Sequence, residues 1–258
     1  MQLSVRNLGS GSSGNALLVT YGEESLLVDC GVSRRALGTG LAAAGLTIAE
    51  ISAVVLTHEH GDHIRAAREC GATCPPVIAT PGTIRAASLA GSMETLPPAR
   101  SMQHGSFEIT ALAVSHDAAE PCGFTILAGG VRATVLTDLG HAPDNLADVA
   151  AASDLIVLEA NHDEAMLRGG PYPAHLKRRI LGHAGHLSNG DCGAFLARAL
   201  RGNSRLPAIW LAHLSRTNNR PALAQATVEQ ALARAGLAAS ITPMQRQGHG
   251  QMWRAAES

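Results

Sequence analysis

The chain has 258 residues, 46% hydrophobic and 16% charged, with a formal net charge of -1. That is enough apolar material for a full core, and it excludes a protein that collects nucleic acid by overall positive charge; phosphate binding must come from local patches or cations. No apolar run approaches the roughly 18 residues of a membrane span, no apolar leader opens the chain, and Cys30, Cys70, Cys74, Cys122 and Cys192 form no Cys-x-x-Cys pair, so they read as reduced thiols of a soluble cytoplasmic protein.

In chain order, residues 3–6, 16–20 and 25–28 read as short strands joined by turns. The intervening Gly-Ser-Gly-Ser-Ser-Gly-Asn at 9–15 is either an anion-accepting nest or a flexible turn. Asp29, at the end of its strand, is placed to orient a ligand as a hydrogen-bond acceptor. Ser33 caps a helix running to about residue 44, and Thr47 opens a short connection into the apolar run 51–56.

That run leads into Thr57-His58-Glu59-His60-Gly61-Asp62-His63 and then a helix to residue 70. His58, His60 and Asp62 alternate at a strand end, so their side chains can enter one cleft; Gly61 lets the backbone turn and His63 can swing back from the helix start. Imidazole nitrogen and carboxylate oxygen suit zinc, or manganese or iron. Four such groups exceed what one catalytic ion with an open position needs, so two divalent metal ions are expected. The plainer alternative is a polar loop that happens to be rich in histidine.

Residues 77–79 and 109–114 read as strands, with Pro81 starting a helix between them. The second strand ends near His116, a placement that raises it above an ordinary polar residue, and Asp117 is the lesser candidate. Residues 131–136 form a strand that stops at Asp138, whose carboxylate either bridges two cations or caps the turn before 145–151. A buried-type strand over 155–158 ends in Glu159, Ser188 can cap the segment leading to the helix 194–200, with His186 before it, and a strand over 208–211 delivers His213. Strand ends thus carry candidate groups toward one rim.

His-x-His-x-Asp-His at 58–63 resembles the signature of the metallo-β-lactamase superfamily. The resemblance implies an α/β (α+β) fold, the metallo-β-lactamase αββα sandwich of two mixed β-sheets flanked by helices, here as a single domain over 1–258. It also implies that His116 closes the first metal site and that Asp138 is the bridging ligand. Glu159 in Leu-Glu-Ala-Asn, His186 in Gly-His-Leu-Ser and His213 in Ala-His-Leu-Ser resemble the late motifs of tRNase Z and related nucleases, where the first two donate a proton and the third binds metal. Longer words are similar to the YycJ (WalJ) group of bacterial metallo-hydrolases: the 9–15 loop, Thr-Asp-Leu-Gly at 137–140, Glu-Ala-Asn-His-Asp at 159–163, Gly-His-Leu-Ser-Asn at 185–189, and His-Leu-Ser followed by Asn218-Asn219. That group is associated with 5′-to-3′ DNA exonuclease activity and cell-wall or DNA-repair phenotypes.

The resemblance implies one ion held by His58, His60, His116 and Asp138, the other by Asp62, His63, His213 and Asp138, and a bridging hydroxide that attacks phosphorus. His186, kept protonated by Glu159, protonates the leaving oxygen, and Asp62 also orients the water. The stretch from His116 to Asp138 is too short for a tRNase Z arm, and that from Asp138 to His213 too short for a β-CASP insertion. Val114-Ser115-His116-Asp117 lacks the Pro-Gly-His setting of glyoxalase and lactamase relatives. A small-molecule hydrolase of thioesters, lactones or cyclic phosphodiesters would share every ligand, and a non-catalytic binding module is the third class.

His104, His141, His162, His175, His183 and His249 have no assigned role, although His162 and His183 lie near the expected proton pair in sequence. His175-Leu176-Lys177-Arg178-Arg179, with Arg168, Arg216 and Arg220, is either a phosphate-backbone contact for DNA or a solvated helix face. Aromatic residues are 3% of the chain, so contact with DNA is expected at the backbone more than at the bases.

Overall fold

The computed structural model describes residues 1–247 and 250–256, so His249 lies outside the described residues. The chain divides into two compact units, one of residues 1–113, 118–131 and 245 onward, the other of residues 114–117 and 132–244. Its strands fall into two mixed sheets.

In the first unit β1 (Leu3–Gly9), β2 (Ala16–Tyr21) and β3 (Glu24–Val28) form an antiparallel meander. α1 (Arg34–Ala42) then crosses to β4 (Ala53–Leu56), which pairs parallel with β3. α2 (Gly61–Cys70) leads to β5 (Val77–Ala79), and α3 (Pro81–Ala87) to β6 (Met93–Thr95), each strand again parallel to the last. β4 and β5 are buried along their whole length, as parallel strands between others must be, which is why they are continuous apolar runs without alternation. The hairpin of β7 (Ser101–His104) and β8 (Phe107–Ala113) continues antiparallel into β9 (Cys122–Ala128).

The helices start where the chemistry of the sequence places them. Ser33 Oγ accepts from Ala36 N, and Thr80 Oγ1 accepts from Thr83 N with Pro81 in the first turn, so each opening has a side-chain cap. α1 contributes Leu37 and Leu41, and α2 contributes Ile64, Ala66 and Ala67, to one buried cluster with Leu18, Leu27, Val54 and Leu56. That packing holds the end of β4 and the start of α2, between which the histidine-rich loop runs.

In the second unit β10 (Val131–Leu136), β11 (Leu155–Glu159), β12 (Ala208–Ala212) and β13 (Ile241–Pro243) lie parallel, and Leu136, Leu158 and Leu211 stand level with one another. Their carboxyl ends therefore point to the same edge, the edge at which parallel sheets place their ligands. α4 (Ala147–Ala151), α5 (Glu164–Gly169), α6 (Ala174–Ile180), α7 (Asn189–Ala199) and α8 (Pro221–Arg234) supply the connections. The last strand, β14 (Met252–Arg254), returns to the first unit beside β1.

Two expectations shift in detail. α7 begins directly at its Ser188 cap instead of at residue 194, because Ser188 Oγ accepts from Asp191 N, and α8 was not expected at all. Its buried residues Ala224, Val228 and Leu232 make a stripe one residue wide in an alanine-rich stretch, too thin to stand out as a period. None of the five cysteines forms a disulfide, and no helix among the described residues is long and apolar enough to cross a membrane.

Gly31 is the tightest point of the first unit: a Cβ there would lie 1.6 Å from the carbonyl oxygen of Asp62 and 2.5 Å from the amide nitrogen of His63. Gly31→Ala is expected to lower stability by about 3 kcal/mol or more and to displace the loop that ends in His63. Gly38→Ala, mid-helix in α1 with open space around it, is expected to add about 0.5–1 kcal/mol instead. Thermal unfolding of the two variants checks the contrast, and equal shifts would contradict it.

Candidate functional site

In the first unit the ends of β3 and β4 are neighbours. Asp29 follows β3 with φ of 60°, a left-handed turn that takes the chain out of the strand while its buried side chain points back toward Thr57. Its carboxylate accepts from Thr57 N at 2.9 Å, from Thr57 Oγ1 at 3.0 Å and from His63 Nδ1 at 2.8 Å. Because the single hydroxyl proton of Thr57 goes to Asp29, its oxygen can only accept from His58 Nδ1, 3.1 Å away. His58 and His63 are therefore both protonated on Nδ1 and carry the acceptor lone pair on Nε2.

Asn15 supports the same assignment. Its Oδ1 accepts from Gly11 N at 2.7 Å, which turns the amide nitrogen toward His63 Nε2 at 3.0 Å. The same Nε2 lies 3.9 Å from Asp62 Oδ2. His60 occupies the position just before α2, its ring 4.6 Å from that of His58. This unit thus assembles the expected His58, His60, Asp62 and His63, with a lone pair and a carboxylate facing each other across a distance that suits a shared cation.

The second unit is built around Glu159, which is fully buried at the end of β11. Its Oε2 accepts from the backbone amides of Leu139 and Leu187 at 2.9 and 3.2 Å. Its Oε1 accepts Nδ1–H from two imidazoles, His186 at 2.8 Å and His213 at 2.9 Å. Asp138, beyond β10, lies 3.4 Å from His186 Nδ1 and 3.2 Å from His213 Nδ1 through its Oδ1. Ligand atoms of Asp138, Glu159, His186 and His213 all fall within 4.8 Å of one another. His116 Nδ1 donates to Gly185 O at 3.1 Å, which leaves its Nε2 as an acceptor 4.0 Å from Asp138 Oδ1.

Protonation separates these imidazoles. Burial pushes the His186 ring toward its neutral form, yet the charges of Glu159 and Asp138 and the hydrogen bond to Glu159 outweigh that, so its pKa stands above the ordinary histidine value. At His116 burial wins and the pKa is lowered, which suits a neutral metal ligand. Burial also pushes the Glu159 carboxyl up, but the charge of His186 and the hydrogen bonds from His186 and His213 prevail and bring it to about 2.

The remaining expectations divide. His183 turns away from the proton pair: its Nδ1 lies 2.9 Å from Ser115 Oγ and its ring stacks on His141 at 3.7 Å. His162 is buried and makes an isolated β-bridge with Ser188. The basic segment forms α6 with Arg178 and Arg179 exposed, and Arg179 Nε donates to Asp117 Oδ2 at 2.5 Å. The sequence reading gave no role to Thr57, Asn15 or Asn161, the last of which donates to His213 O at 2.9 Å. Position alone was the available signal, since Thr57 precedes His58, Asn15 ends the 9–15 loop and Asn161 lies two residues after Glu159.

Each unit thus carries histidine and carboxylate donors beyond its strand ends, His58, His60, Asp62 and His63 in one and His116, Asp138 and His213 in the other, as a metallo-hydrolase would, and the chain belongs to the beta-lactamase superfamily. The profile described as Beta-lactamase superfamily domain matches residues 24–207. Within the superfamily, the chain is 36% identical over 246 residues to exodeoxyribonuclease YycJ of Bacillus anthracis, covering 92% of this chain and 91% of that protein. It is 34% identical over 243 residues to exodeoxyribonuclease WalJ of Streptococcus pneumoniae serotype 2, covering 91% and 90%. The crystal structure of the metallo-beta-lactamase fold protein YhfI from Bacillus subtilis matches with a TM-score of 0.73 over 98% of this chain and 99% of that one, at 18% identity. The expected metallo-β-lactamase fold, two mixed sheets flanked by helices, is the fold of this chain.

The Glu159 carboxyl has a measurable signature. Its folded pKa of about 2 lies below the ordinary carboxylate value of 4.5, so its stabilisation is complete above about pH 4.5 and is lost as pH falls toward 2. Glu159→Gln is expected to lack that component, so the difference in unfolding free energy between wild type and variant should narrow across this interval. A gap independent of pH between 2 and 4.5 would show that the carboxylate is not held ionised.

Proposed function

We propose that this chain is a metal-dependent phosphodiesterase that acts as a DNA exonuclease in the cytoplasm, with His58, His60, Asp62, His63, His116, Asp138 and His213 as metal ligands and Glu159 and His186 as the proton-donating pair. The observation that carries this reading is the contrast in protonation: His58, His63, His116 and His213 each have Nδ1 engaged and Nε2 left as an acceptor, whereas His186 is held protonated against a buried carboxylate. Similarity over nine-tenths of the chain to two proteins named exodeoxyribonuclease supplies the substrate class.

The donor set of neutral imidazole nitrogens and carboxylates fits two divalent ions, zinc first, with manganese or iron as alternatives. Bound there, such cations supply Lewis-acid neutralisation of the charge that develops on phosphoryl oxygens. Asp62, half-buried at the start of α2, orients the attacking water by accepting one of its protons. Glu159 Oε1 fixes the His186 ring through Nδ1–H, and the proton on Nε2 passes to the oxygen of the departing alkoxide. The ring keeps its Nδ1–H throughout, so Glu159 never needs to take a proton. DNA is held through its phosphate backbone, to which the exposed guanidinium groups of α6 contribute.

The decisive experiment pairs two substrates with metal analysis. His186→Ala should retain its metal yet lose about 10²- to 10⁴-fold in rate on DNA, the usual worth of a general acid, and lose far less on a nitrophenyl phosphodiester whose leaving group needs no proton. Equal losses on both substrates would remove His186 from the acid role, and activity on thioesters or lactones in place of DNA would move the protein to another hydrolase class.

Replacing Arg178 and Arg179 together with alanine should weaken DNA binding and reduce the slope of log affinity against log salt by about 1 to 2, while the nitrophenyl ester is cleaved as before. Arg179 already pairs with Asp117, so Arg178 is expected to account for the larger share. An unchanged slope would leave α6 as a solvated helix face.

A further inference from the structure

Three chain segments carry Glu159, His186 and His213, and one carboxamide touches or adjoins all three. Asn219 and Asn189 are both buried, and their side chains pair head to tail: Asn189 Nδ2 donates to Asn219 Oδ1 at 3.0 Å, and Asn219 Nδ2 donates to Asn189 Oδ1 at 2.9 Å. Asn219 Nδ2 also faces the carbonyl oxygens of Ala160 at 2.8 Å and Asn161 at 3.1 Å, so its two N–H bonds are shared among three acceptors. Its Oδ1 accepts in addition from Arg220 N at 2.9 Å, at the opening of α8.

The contacts locate each partner on an active segment. Ala160 follows Glu159 directly, and Asn189 begins α7 just after the turn that holds His186. Asn161 donates its own amide to His213 O, and its carbonyl accepts from Ser215 N at 2.8 Å. Backbone bonds from Asn161 N to Leu187 O at 2.8 Å and from Asn189 N to His162 O at 2.9 Å complete the join. Neither asparagine reaches the reacting groups. Both are too buried to exchange their partners for water at no cost, since each polar atom left unmatched would carry the full desolvation penalty.

We propose that Asn219 is a positioning residue for the proton-donating pair. Through its amide N–H bonds it sets the distance between the loop after β11 and the turn before α7, and thereby holds His186 Nδ1 at hydrogen-bond distance from Glu159 Oε1. Asn189 is the partner through which Asn219 reaches the α7 segment, since the other bonds of its side chain go to Ala160, Asn161 and Arg220. The inference rests on the reading of His186 as the acid, but it concerns a hydrogen bond that can be observed without turnover.

Asn219→Asp is the sharpest test: the isosteric side chain keeps an acceptor for Asn189 and Arg220 but replaces the N–H donors with charged carboxylate oxygen, set against the oxygens of Ala160, Asn161 and Asn189. The full-length variant, with its histidines labelled with nitrogen-15, is compared by NMR with wild type, Asn189→Ala and His186→Gln, the last assigning the downfield Nδ1–H signal of His186. The expected result is that this signal shifts upfield or is lost by exchange in Asn219→Asp and shifts the same way, less far, in Asn189→Ala, which cuts the same link but leaves the Asn219 bonds to Ala160 and Asn161. On DNA, kcat should fall about 10- to 100-fold for Asn219→Asp with KM little changed, and about 2- to 3-fold for Asn189→Ala, with the nitrophenyl ester nearly unaffected in both. If Asn219→Asp does not fold, Asn219→Ala removes the same donor without adding charge and is judged by the same outcomes. An unaltered His186 signal in a folded Asn219 variant overturns the proposal, as does equal loss on both substrates. Absence of DNA cleavage by wild type, with the signal lost as expected, overturns the nuclease reading and leaves the positioning role in place.

Discussion

One buried carboxylate oxygen, Oε1 of Glu159, receives Nδ1–H from both His186 and His213. A carboxylate shut away from water is costly unless every lone pair is matched, and the second unit meets that demand with two backbone amides on one oxygen and two imidazoles on the other. The parallel strands put Glu159 level with Ala212, so the neighbouring strand end brings His213 within reach without a long excursion of chain. The same oxygen gives the two rings different chemistry. His213 uses the contact to fix its tautomer, while His186, whose pKa is raised by the neighbouring carboxylates, uses it to keep a proton.

The first unit reaches a comparable result by other means. Asp29 plays the part of the buried acceptor, and the hydroxyl of Thr57 passes its orienting effect on to His58. Carboxylate, hydroxyl and imidazole form a chain that starts from a group able only to accept, and that sets the direction of the hydrogen bonds that follow. Gly31, which admits no side chain beside Asp62 and His63, lets the loop lie against this chain.

Much of this was legible in the sequence because metal chemistry is written in a few residue types. The order of His58, His60, Asp62 and His63 marked the first cluster, and Asp138, Glu159 and His213 each ended an apolar run that could be recognised as a strand. The residues that aim them were not legible. Thr57, Asn15, Asn161, Asn189 and Asn219 are types that fill ordinary turns, and nothing in their spacing tells a side chain that bonds across fifty residues from one that meets solvent. α8 escaped notice for a related reason, since alanine packs closely at a helix face while contributing little to a hydrophobic period. What the sequence conceals is the partner of each polar group, because that depends on register between segments distant in the chain.

Asp29, Asp138 and His213 share a backbone feature, φ values of 60°, 55° and 53°, with no glycine supplying the turn. Aspartate, asparagine and histidine enter this left-handed region more readily than other residues, whereas alanine meets a steric penalty there. Alanine scanning, the habitual way to weigh a ligand, would therefore mix two quantities at these three places, the lost donor atom and a distorted strand end. Asparagine keeps the conformational preference while changing the donor, so it isolates coordination from geometry.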